Sequence, residues 1–267
     1  MSGRRIAWEE GEERVRCWVE EWIADGASAM SQLLLENDRR ILYRLDTRSE
    51  LTMDSHGDST TRSVVVKIHR TQSGRHRRRE SFKKRIGFSP AFREWQALKQ
   101  LHAAGVPVPE PLAWGQLPSG DPLLVTEYCP GTSLIAALSA ATPKERITWI
   151  ERLACSVEAL HATGYRHGDL HLGNLHARGT RVVILDLQRA RRARSDGEQL
   201  RDLAHLDFSI ARLGFELEMR HRLRAALGHP RDLDAASRRF IRDFVRGRSR
   251  REFRLGQAWE SWRSGRL

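Results

Sequence analysis

The spacing of apolar and polar residues predicts several short strands in the N-terminal half of the chain. Arg40 to Asp46 alternates apolar and polar side chains, which is typical of a half-buried strand. Ser63 to His69 is rich in β-branched residues and is expected to form a buried strand. Asn37-Asp38-Arg39 suits a hairpin turn, because Asn and Asp tolerate left-handed backbone. Leu123 to Thr126 is a further predicted strand, whereas residues 1–30 fit either an amphipathic helix or a strand.

Apolar residues at helical spacing predict three helices, and two of these have clear start signals. Ser89 is a favourable N-cap and Pro90 suits the first position of the helix that follows. Thr142 and Glu145 form the sequence of a capping box at the start of a long helix. Residues 198–213 repeat leucines with helical spacing and form the third helix.

The stretch from His167 to Asn174, which reads His-Gly-Asp-Leu-His-Leu-Gly-Asn, carries the strongest chemical signal in the chain. Asp169 and Asn174 have the spacing at which one loop can aim a carboxylate at a hydroxyl and an amide oxygen at a metal ion. Asp186 follows the apolar run Val182 to Leu185, so we expect it at a strand end that faces the same cleft. Two acids and an amide in this order match the pattern of a kinase catalytic loop.

A lysine inside a β-branched strand is a second candidate, because an unpaired ammonium is costly to bury. Lys67 lies near the end of its predicted strand, and Glu94 lies one turn into the next helix. A strand lysine followed by a helix glutamate is the ion pair that positions a nucleotide in kinases. The alternative is a lysine whose stem is buried while its head reaches solvent.

The net charge indicates the type of binding partner, and the cysteine content indicates the redox environment of the protein. The chain has 46 Lys and Arg against 34 Asp and Glu, a formal net charge of +12. This excess indicates a polyanionic partner, which could be a phosphorylated ligand, an anionic membrane surface or nucleic acid. The 3 cysteines contain no CxxC pair, so neither a disulfide framework nor a cysteine zinc site is expected, and a reducing compartment fits. The N-terminus does not read as a signal peptide, and no apolar run reaches the roughly 18 residues that a spanning helix needs.

The chain resembles the protein-kinase-like superfamily over about residues 31–212. The resemblance lies in the order of Lys67, Glu94, His167-Gly168-Asp169, Asn174 and Asp186. The His-Gly-Asp-Leu-His-x-Gly-Asn motif is similar to that of aminoglycoside and choline phosphotransferases. Arg93-Glu94-Trp95, Gly105 to Ala113 and Ile184 to Ala190 are closer to the lipopolysaccharide kinases that phosphorylate core heptose or Kdo. The resemblance implies an α+β fold with two lobes. We expect a nucleotide-binding lobe of antiparallel sheet and one helix over residues 1–127, and a mainly helical catalytic and substrate lobe over 128–267.

The resemblance also implies an ATP site. Lys67, held by Glu94, is expected to contact the phosphates of ATP, and backbone groups around Glu127 and Cys129 are expected to pair with adenine. No GxGxxG loop is present, since Asn37-Asp38-Arg39 stands in its place. The phosphate contacts there would come from backbone amides of this turn, or mainly from Lys67 and metal.

By the same resemblance, Asp169 orients the acceptor hydroxyl and takes its proton, while Asn174 and Asp186 hold Mg²⁺. Asp186-Leu187-Gln188 replaces the Asp-Phe-Gly of protein kinases. Gly168 replaces the arginine that reads a phosphorylated activation loop. These departures favour a constitutively formed site over a regulated protein kinase.

Three functions are consistent with the sequence. The first is an ATP-dependent kinase of a heptose or Kdo hydroxyl in the lipopolysaccharide inner core. The second is a soluble small-molecule phosphotransferase of the aminoglycoside or choline kinase type. The third is a kinase-shaped module that binds nucleic acid or partner proteins. The basic segment Arg70 to Arg85 and the Arg-rich tail disfavour the second, because cationic substrates would want an acidic pocket. The intact set of Lys67, Asp169, Asn174 and Asp186 disfavours the third. The expected partner is a lipopolysaccharide core intermediate or another anionic saccharide, and nucleic acid is not expected. We expect a cytoplasmic protein with peripheral contact to the anionic inner face of the cytoplasmic membrane.

Overall fold

The computed structural model describes residues 6–25, 31–46, 63–70, 89–215 and 217–227, together with five isolated helical positions at 235, 236, 238, 239 and 242. The chain divides into two compact units. The N-terminal unit contains Met1–His102 and Pro109–Tyr128, and the C-terminal unit contains Ala103–Val108 and Cys129–Leu267.

The N-terminal unit is built on a six-stranded antiparallel sheet with the strand order β1-β5-β6-β4-β3-β2. Its elements, in chain order, are β1 Ala7–Gly11, α1 Glu13–Ala24, β2 Ser31–Glu36, β3 Arg40–Asp46, β4 Ser63–His69, α2 Pro90–Ala103, β5 Pro111–Gln116 and β6 Pro122–Glu127. The central strands and α1 share a hydrophobic core, whose fully buried members include Val15, Val19, Val64, Val66 and Val125.

The predicted strands of this unit are confirmed. β3 and β4 occupy the residues that the sequence indicated, and the third predicted strand lies within β6. The hairpin turn between β2 and β3 closes on Asn37, whose side-chain Oδ1 accepts hydrogen bonds from the N–H groups of Arg39 at 2.9 Å and Arg40 at 3.0 Å. The side chain thus takes the place of a backbone acceptor, as Asn does in tight turns.

The N-terminal segment forms both of the structures that its sequence left open, with β1 followed directly by α1. The sheet unit therefore carries α1 in addition to the one helix that we expected. α2 begins as its sequence indicated, because Ser89 Oγ accepts a hydrogen bond from the N–H of Phe92 at 3.0 Å and Pro90 takes the first helical position.

The C-terminal unit is mainly helical. Its elements, in chain order, are β7 Thr132–Ser133, α3 Leu134–Ala140, α4 Pro143–Ala162, β8 Tyr165–Arg166, β9 Leu175–Arg178, β10 Arg181–Ile184, β11 Arg191–Arg192, α5 Asp196–Arg212 and α6 Leu217–Ala226. Two short 3₁₀ turns, Leu172–Asn174 and Leu187–Arg189, flank the β9–β10 hairpin. β10, β9 and β7 form one small sheet, and β11 pairs with β8 in another.

A buried ion cluster joins α5 to α6. Asp207 accepts two hydrogen bonds from Arg220, both at 2.9 Å, and a further bond from Arg224 at 2.8 Å. Burial raises the pKa of the Asp207 carboxyl, but the two guanidinium groups outweigh this effect, and the net result is a pKa below the ordinary value. A charge this deeply buried needs such partners, so the cluster fixes α6 against α5.

The α+β class is confirmed, with an antiparallel sheet in the N-terminal unit and most helices in the C-terminal unit, as in kinase-like folds. Within the part of the chain that the structure describes, no helix is long and apolar enough to cross a bilayer. Positions 71–85 of the basic segment and the aromatic-rich tail lie outside the described residues.

The capping box at the start of α4 offers a test of local stability. Thr142 Oγ1 accepts the N–H of Glu145 at 3.4 Å, and Glu145 Oε2 accepts the N–H of Thr142 at 2.8 Å. We expect Thr142→Ala to lower the free energy of unfolding by about 1 kcal/mol, since the amide at the helix start loses its acceptor. Urea denaturation followed by circular dichroism measures this change.

Thr148→Ala is the matched control, because Thr148 is exposed in the interior of the same helix. Alanine has the higher helix propensity, so this variant should be neutral or slightly stabilising. If the two variants lost equal stability, the capping box would not contribute to the start of α4.

Candidate active site

Lys67 and Glu94 form a buried ion pair in the N-terminal unit. Lys67 Nζ donates to both carboxylate oxygens of Glu94, at 2.9 and 2.8 Å. The two residues are only 7% and 4% exposed. His69 Nε2 lies 3.9 Å from Glu94 Oε2. The interpretation of Lys67 as a lysine whose head reaches solvent is therefore excluded.

The loop before Asp169 is held by a buried carboxylate from α5. Asp202, 3% exposed, accepts hydrogen bonds from the N–H of His167 at 2.5 Å and the N–H of Gly168 at 2.8 Å. Gly168 has φ +82°, and a Cβ at this position would lie 2.9 Å from the backbone oxygen of Arg189. Glycine is therefore required by both the backbone angle and the space.

His167 links the loop to the strand that precedes Asp186. Its Nε2 lies 2.9 Å from the oxygen of Leu185, and its Nδ1 accepts the N–H of Asp169 at 3.2 Å. These partners fit the neutral imidazole with its proton on Nε2. Burial lowers the pKa of His167, which agrees with the neutral form.

Asn174 and Asp186 complete this junction. Asn174 Nδ2 donates to the backbone oxygen of Asp169 at 3.0 Å, and the N–H of Leu185 donates to the backbone oxygen of Asn174 at 2.8 Å. Asp186 has left-handed backbone with φ 59°, which is uncommon for a residue other than glycine and is concentrated at functional sites. The structure thus brings Asp169, Asn174 and Asp186 onto one hydrogen-bonded loop and strand end.

The oxygen donors of this junction suit Mg²⁺ better than zinc. The nitrogen of the Asn174 amide bonds to the loop, so the amide oxygen is directed elsewhere, and Asp186 supplies a carboxylate from the adjoining strand end. Mg²⁺ is commonly held by one or two such side chains together with nucleotide phosphates and water. Among the described residues, no group of three or more His, Cys, Asp and Glu side chains is placed to hold a metal ion. Amide and carboxylate oxygens are donors of the type that Mg²⁺ prefers, and the assignment of Asn174 and Asp186 to Mg²⁺ stays a prediction.

The two residues expected near adenine lie on either side of the boundary between the units. Glu127 ends β6 in the N-terminal unit, and its N–H donates to the oxygen of Glu110 at 2.9 Å. Cys129 is buried in the C-terminal unit, where its Sγ accepts from Arg178 Nη1 at 3.8 Å. Their assignment to adenine stays a prediction.

Two residues that the sequence reasoning missed flank Asp169. Arg189 Nη1 lies 3.5 Å from Asp169 Oδ2, and His205 Nδ1 lies 3.7 Å from Asp169 Oδ1. Burial, with a smaller effect from nearby His171, lowers the pKa of His205 to about 4. His205 is therefore neutral at neutral pH, and of these two neighbours only Arg189 brings a positive charge to Asp169.

Asp169 opens into a cavity of about 720 Å³ within the C-terminal unit. This volume lies in the range of small-molecule binding sites. The cavity has basic groups, apolar groups and loop backbone in its wall. Its lining residues include Asp169, His171, Leu172, Arg189, Arg201, His205, Phe208, Arg212 and Leu213.

Comparison with known proteins identifies the family. The model of the lipopolysaccharide kinase (Kdo/WaaP) family matches residues 34–226. The chain belongs to this family. A curated relative, the lipopolysaccharide core heptose(I) kinase WaaP of Pseudomonas aeruginosa, is 28% identical over 206 residues, which cover 69% of this chain and 74% of the relative.

Family membership confirms two predictions from the sequence. The protein is an ATP-dependent kinase, and it acts on a sugar of the lipopolysaccharide core. The kinase-like motifs from Lys67 to Asp186 all fall inside the matched region. The family does not by itself assign the roles of single residues.

The Lys67–Glu94 pair can be tested through stability. We expect Lys67→Met or Glu94→Leu alone to lower the free energy of unfolding by about 3–5 kcal/mol, because each removes one partner of a buried ion pair. The double variant Lys67→Met/Glu94→Leu should lose much less, since both charges are removed together. Chemical denaturation of the three variants gives the coupling energy.

The exposed pair of Lys99 and Glu10 provides the control, with both side chains 45% exposed. Lys99→Met should change stability by less than about 1 kcal/mol, as exposed ion pairs do. Additive losses for Lys67 and Glu94 would contradict a coupled buried pair.

Proposed function

We propose that this kinase transfers the γ-phosphate of ATP to a hydroxyl of heptose or Kdo in the lipopolysaccharide inner core, with Asp169 as the general base. The bond between the γ-phosphorus and the bridging oxygen of ADP breaks, and a bond from the γ-phosphorus to the sugar oxygen forms. The proton of the sugar hydroxyl passes to the Asp169 carboxylate.

The observation that carries this proposal is the position of the Asp169 carboxylate. Its backbone is fixed by bonds to His167 and Asn174, while its side chain is 35% exposed and lines the cavity. A carboxylate held in this way can meet a hydroxyl group of a bound sugar without rearrangement of the loop. Arg189, beside the same carboxylate, is placed to offset negative charge that the transferred phosphoryl group brings.

The nucleotide phosphates are assigned mainly to Lys67. Two amides of the turn that stands in place of a glycine-rich loop, those of Arg39 and Arg40, already donate to Asn37. This favours the alternative in which Lys67 and metal, rather than the turn amides, make most phosphate contacts. Glu94 keeps the ammonium in place, and Asn174 and Asp186 would hold Mg²⁺, which neutralises phosphate charge when it is bound.

The cavity favours an anionic acceptor over a cationic one. Arg189, Arg201 and Arg212 all contribute to its wall. A polycationic aminoglycoside would be repelled by these guanidinium groups, so the aminoglycoside type of substrate is disfavoured. Between the two sugars, the name of the Pseudomonas aeruginosa relative favours heptose.

Asp169→Asn and Asp186→Asn test the chemical assignment. We expect Asp169→Asn to lower kcat by about 10²–10⁴-fold, since the proton acceptor is lost. Asp186→Asn should abolish most turnover and raise the Mg²⁺ concentration needed for what remains, because a metal ligand loses its charge. Phosphate transfer from ATP to a purified core oligosaccharide is measured for each variant.

Asp196→Asn is the control, because Asp196 is an exposed acid in the first turn of α5. It should keep the wild-type rate, and circular dichroism should show that all three variants are folded. Near-wild-type turnover of Asp186→Asn at saturating ATP and Mg²⁺ would refute the assignment of Asp186 as a Mg²⁺ ligand.

We also propose that the basic segment Arg70 to Arg85 brings the enzyme to the anionic inner face of the cytoplasmic membrane. Each basic residue near such a surface contributes roughly 1 kcal/mol. Replacement of Arg77, Arg78 and Arg79 with Ser should weaken binding to vesicles that contain phosphatidylglycerol, and added salt should weaken wild-type binding in the same way. Vesicle sedimentation at low and high salt measures both effects.

The control removes three exposed arginines elsewhere, Arg14, Arg181 and Arg222, and so changes the net charge equally. This variant should bind vesicles more tightly than the variant with Ser at positions 77–79. Equal binding at low salt by wild type and the variant with Ser at positions 77–79 would refute a membrane role for this segment.

A further inference from the structure

One face of α5 forms a row of side chains along the cavity. Arg201, His205, Phe208 and Arg212 all line it. Residues four, seven and eleven positions apart lie on one side of a helix, because eleven residues make about three turns. The row therefore has a guanidinium group at each end and an aromatic side chain between them.

Helix geometry places Asp169 within the span of this row. His205, whose Nδ1 is 3.7 Å from Asp169 Oδ1, is one turn after Arg201 and about two turns before Arg212. With a rise of about 1.5 Å per residue, Arg201 is about 6 Å from His205 along the axis and Arg212 is about 10 Å away on the other side. The proposed base thus faces a point between the two arginines.

The surface between the arginines suits the carbon face of a sugar. Phe208, which is 4% exposed, lines the cavity between the two arginines, and Leu213, just beyond Arg212, lines it as well and is 46% exposed. His205 adds a neutral imidazole, because its pKa is lowered to about 4. Apolar patches with a few placed polar groups are typical of ligand pockets.

We propose that Arg201 and Arg212 are two anion-binding positions that hold carboxylate or phosphate groups on either side of the sugar to be phosphorylated. The guanidinium fork matches both of these groups and can bind them through two hydrogen bonds. The two residues lie about 16 Å apart along the helix axis, which suits anionic groups on different sugars of an oligosaccharide better than two groups on a single sugar. The inference rests on the proposed function, because it takes the acceptor to be a saccharide whose hydroxyl reaches Asp169.

Binding without ATP tests this proposal separately from catalysis. The probes are a deacylated core oligosaccharide with its carboxylates and phosphates, and the same oligosaccharide after carboxyl reduction and dephosphorylation. Calorimetry should give about tenfold weaker binding of the charged probe for Arg201→Gln and for Arg212→Gln, the factor expected for one lost charge-assisted hydrogen bond. The neutralised probe should bind both variants and wild type equally weakly.

Two further sets of variants sharpen the result. Arg181→Gln removes an exposed arginine of β10 and should leave binding unchanged. Arg201→Lys and Arg212→Lys keep the charge without the fork and should lose less affinity than the Gln variants. The KM for ATP should be the same for all of them, whereas the KM for the charged oligosaccharide should rise in the Arg201 and Arg212 variants.

The outcomes separate this inference from the proposed function. Equal affinity of wild type for the charged and neutralised probes, or wild-type affinity of both Gln variants, would overturn the two anion positions. Phosphorylation of the oligosaccharide by Gln variants with unchanged KM would overturn them as well and would leave the kinase function intact. Arginine-dependent binding without any phosphate transfer would support the positions and refute the proposed reaction.

Discussion

The buried carboxylate of Asp202 is the contact on which the catalytic loop depends. It is 3% exposed and accepts hydrogen bonds from two consecutive backbone N–H groups, those of His167 and Gly168. Charge-assisted hydrogen bonds are strong in such surroundings, and amides left without an acceptor there would be costly. Because Asp202 belongs to α5, the helix that anchors the loop is also the helix that lines the cavity. The position of Asp169 is therefore fixed relative to Arg201 and His205.

Local sequence patterns were sufficient for several of the described elements. β3 and β4 follow from alternation and β-branching, and α4 follows from its capping box, because neighbouring residues determine these features. The Lys67–Glu94 pair could also be anticipated, since a lysine inside a buried strand requires an anion. The spacing of Asp169, Asn174 and Asp186 similarly indicated that the three residues share one site.

Features that depend on tertiary contacts could not be predicted in the same way. Helical periodicity placed leucines of α5 on a buried face, but it did not reveal that Asp202 meets the loop or that His205 meets Asp169. Arg189 stood within a recognised motif, yet only the folded chain places its guanidinium beside the Asp169 carboxylate. The sequence of the N-terminal segment fitted either a helix or a strand, and its few buried apolar positions, such as Val15 and Val19, did not show that it forms both.

The close approach at Gly168 limits the regulation that this enzyme could acquire through mutation. Any side chain at this position would meet the backbone oxygen of Arg189, at a φ that favours glycine. An arginine able to read a phosphorylated segment would therefore require the chain around Arg189 to move first. Because the same segment places the Arg189 guanidinium beside Asp169, its displacement would disturb the active site that the phosphorylation was to regulate. A phosphorylation switch of the protein-kinase type is thus several coordinated substitutions away rather than one.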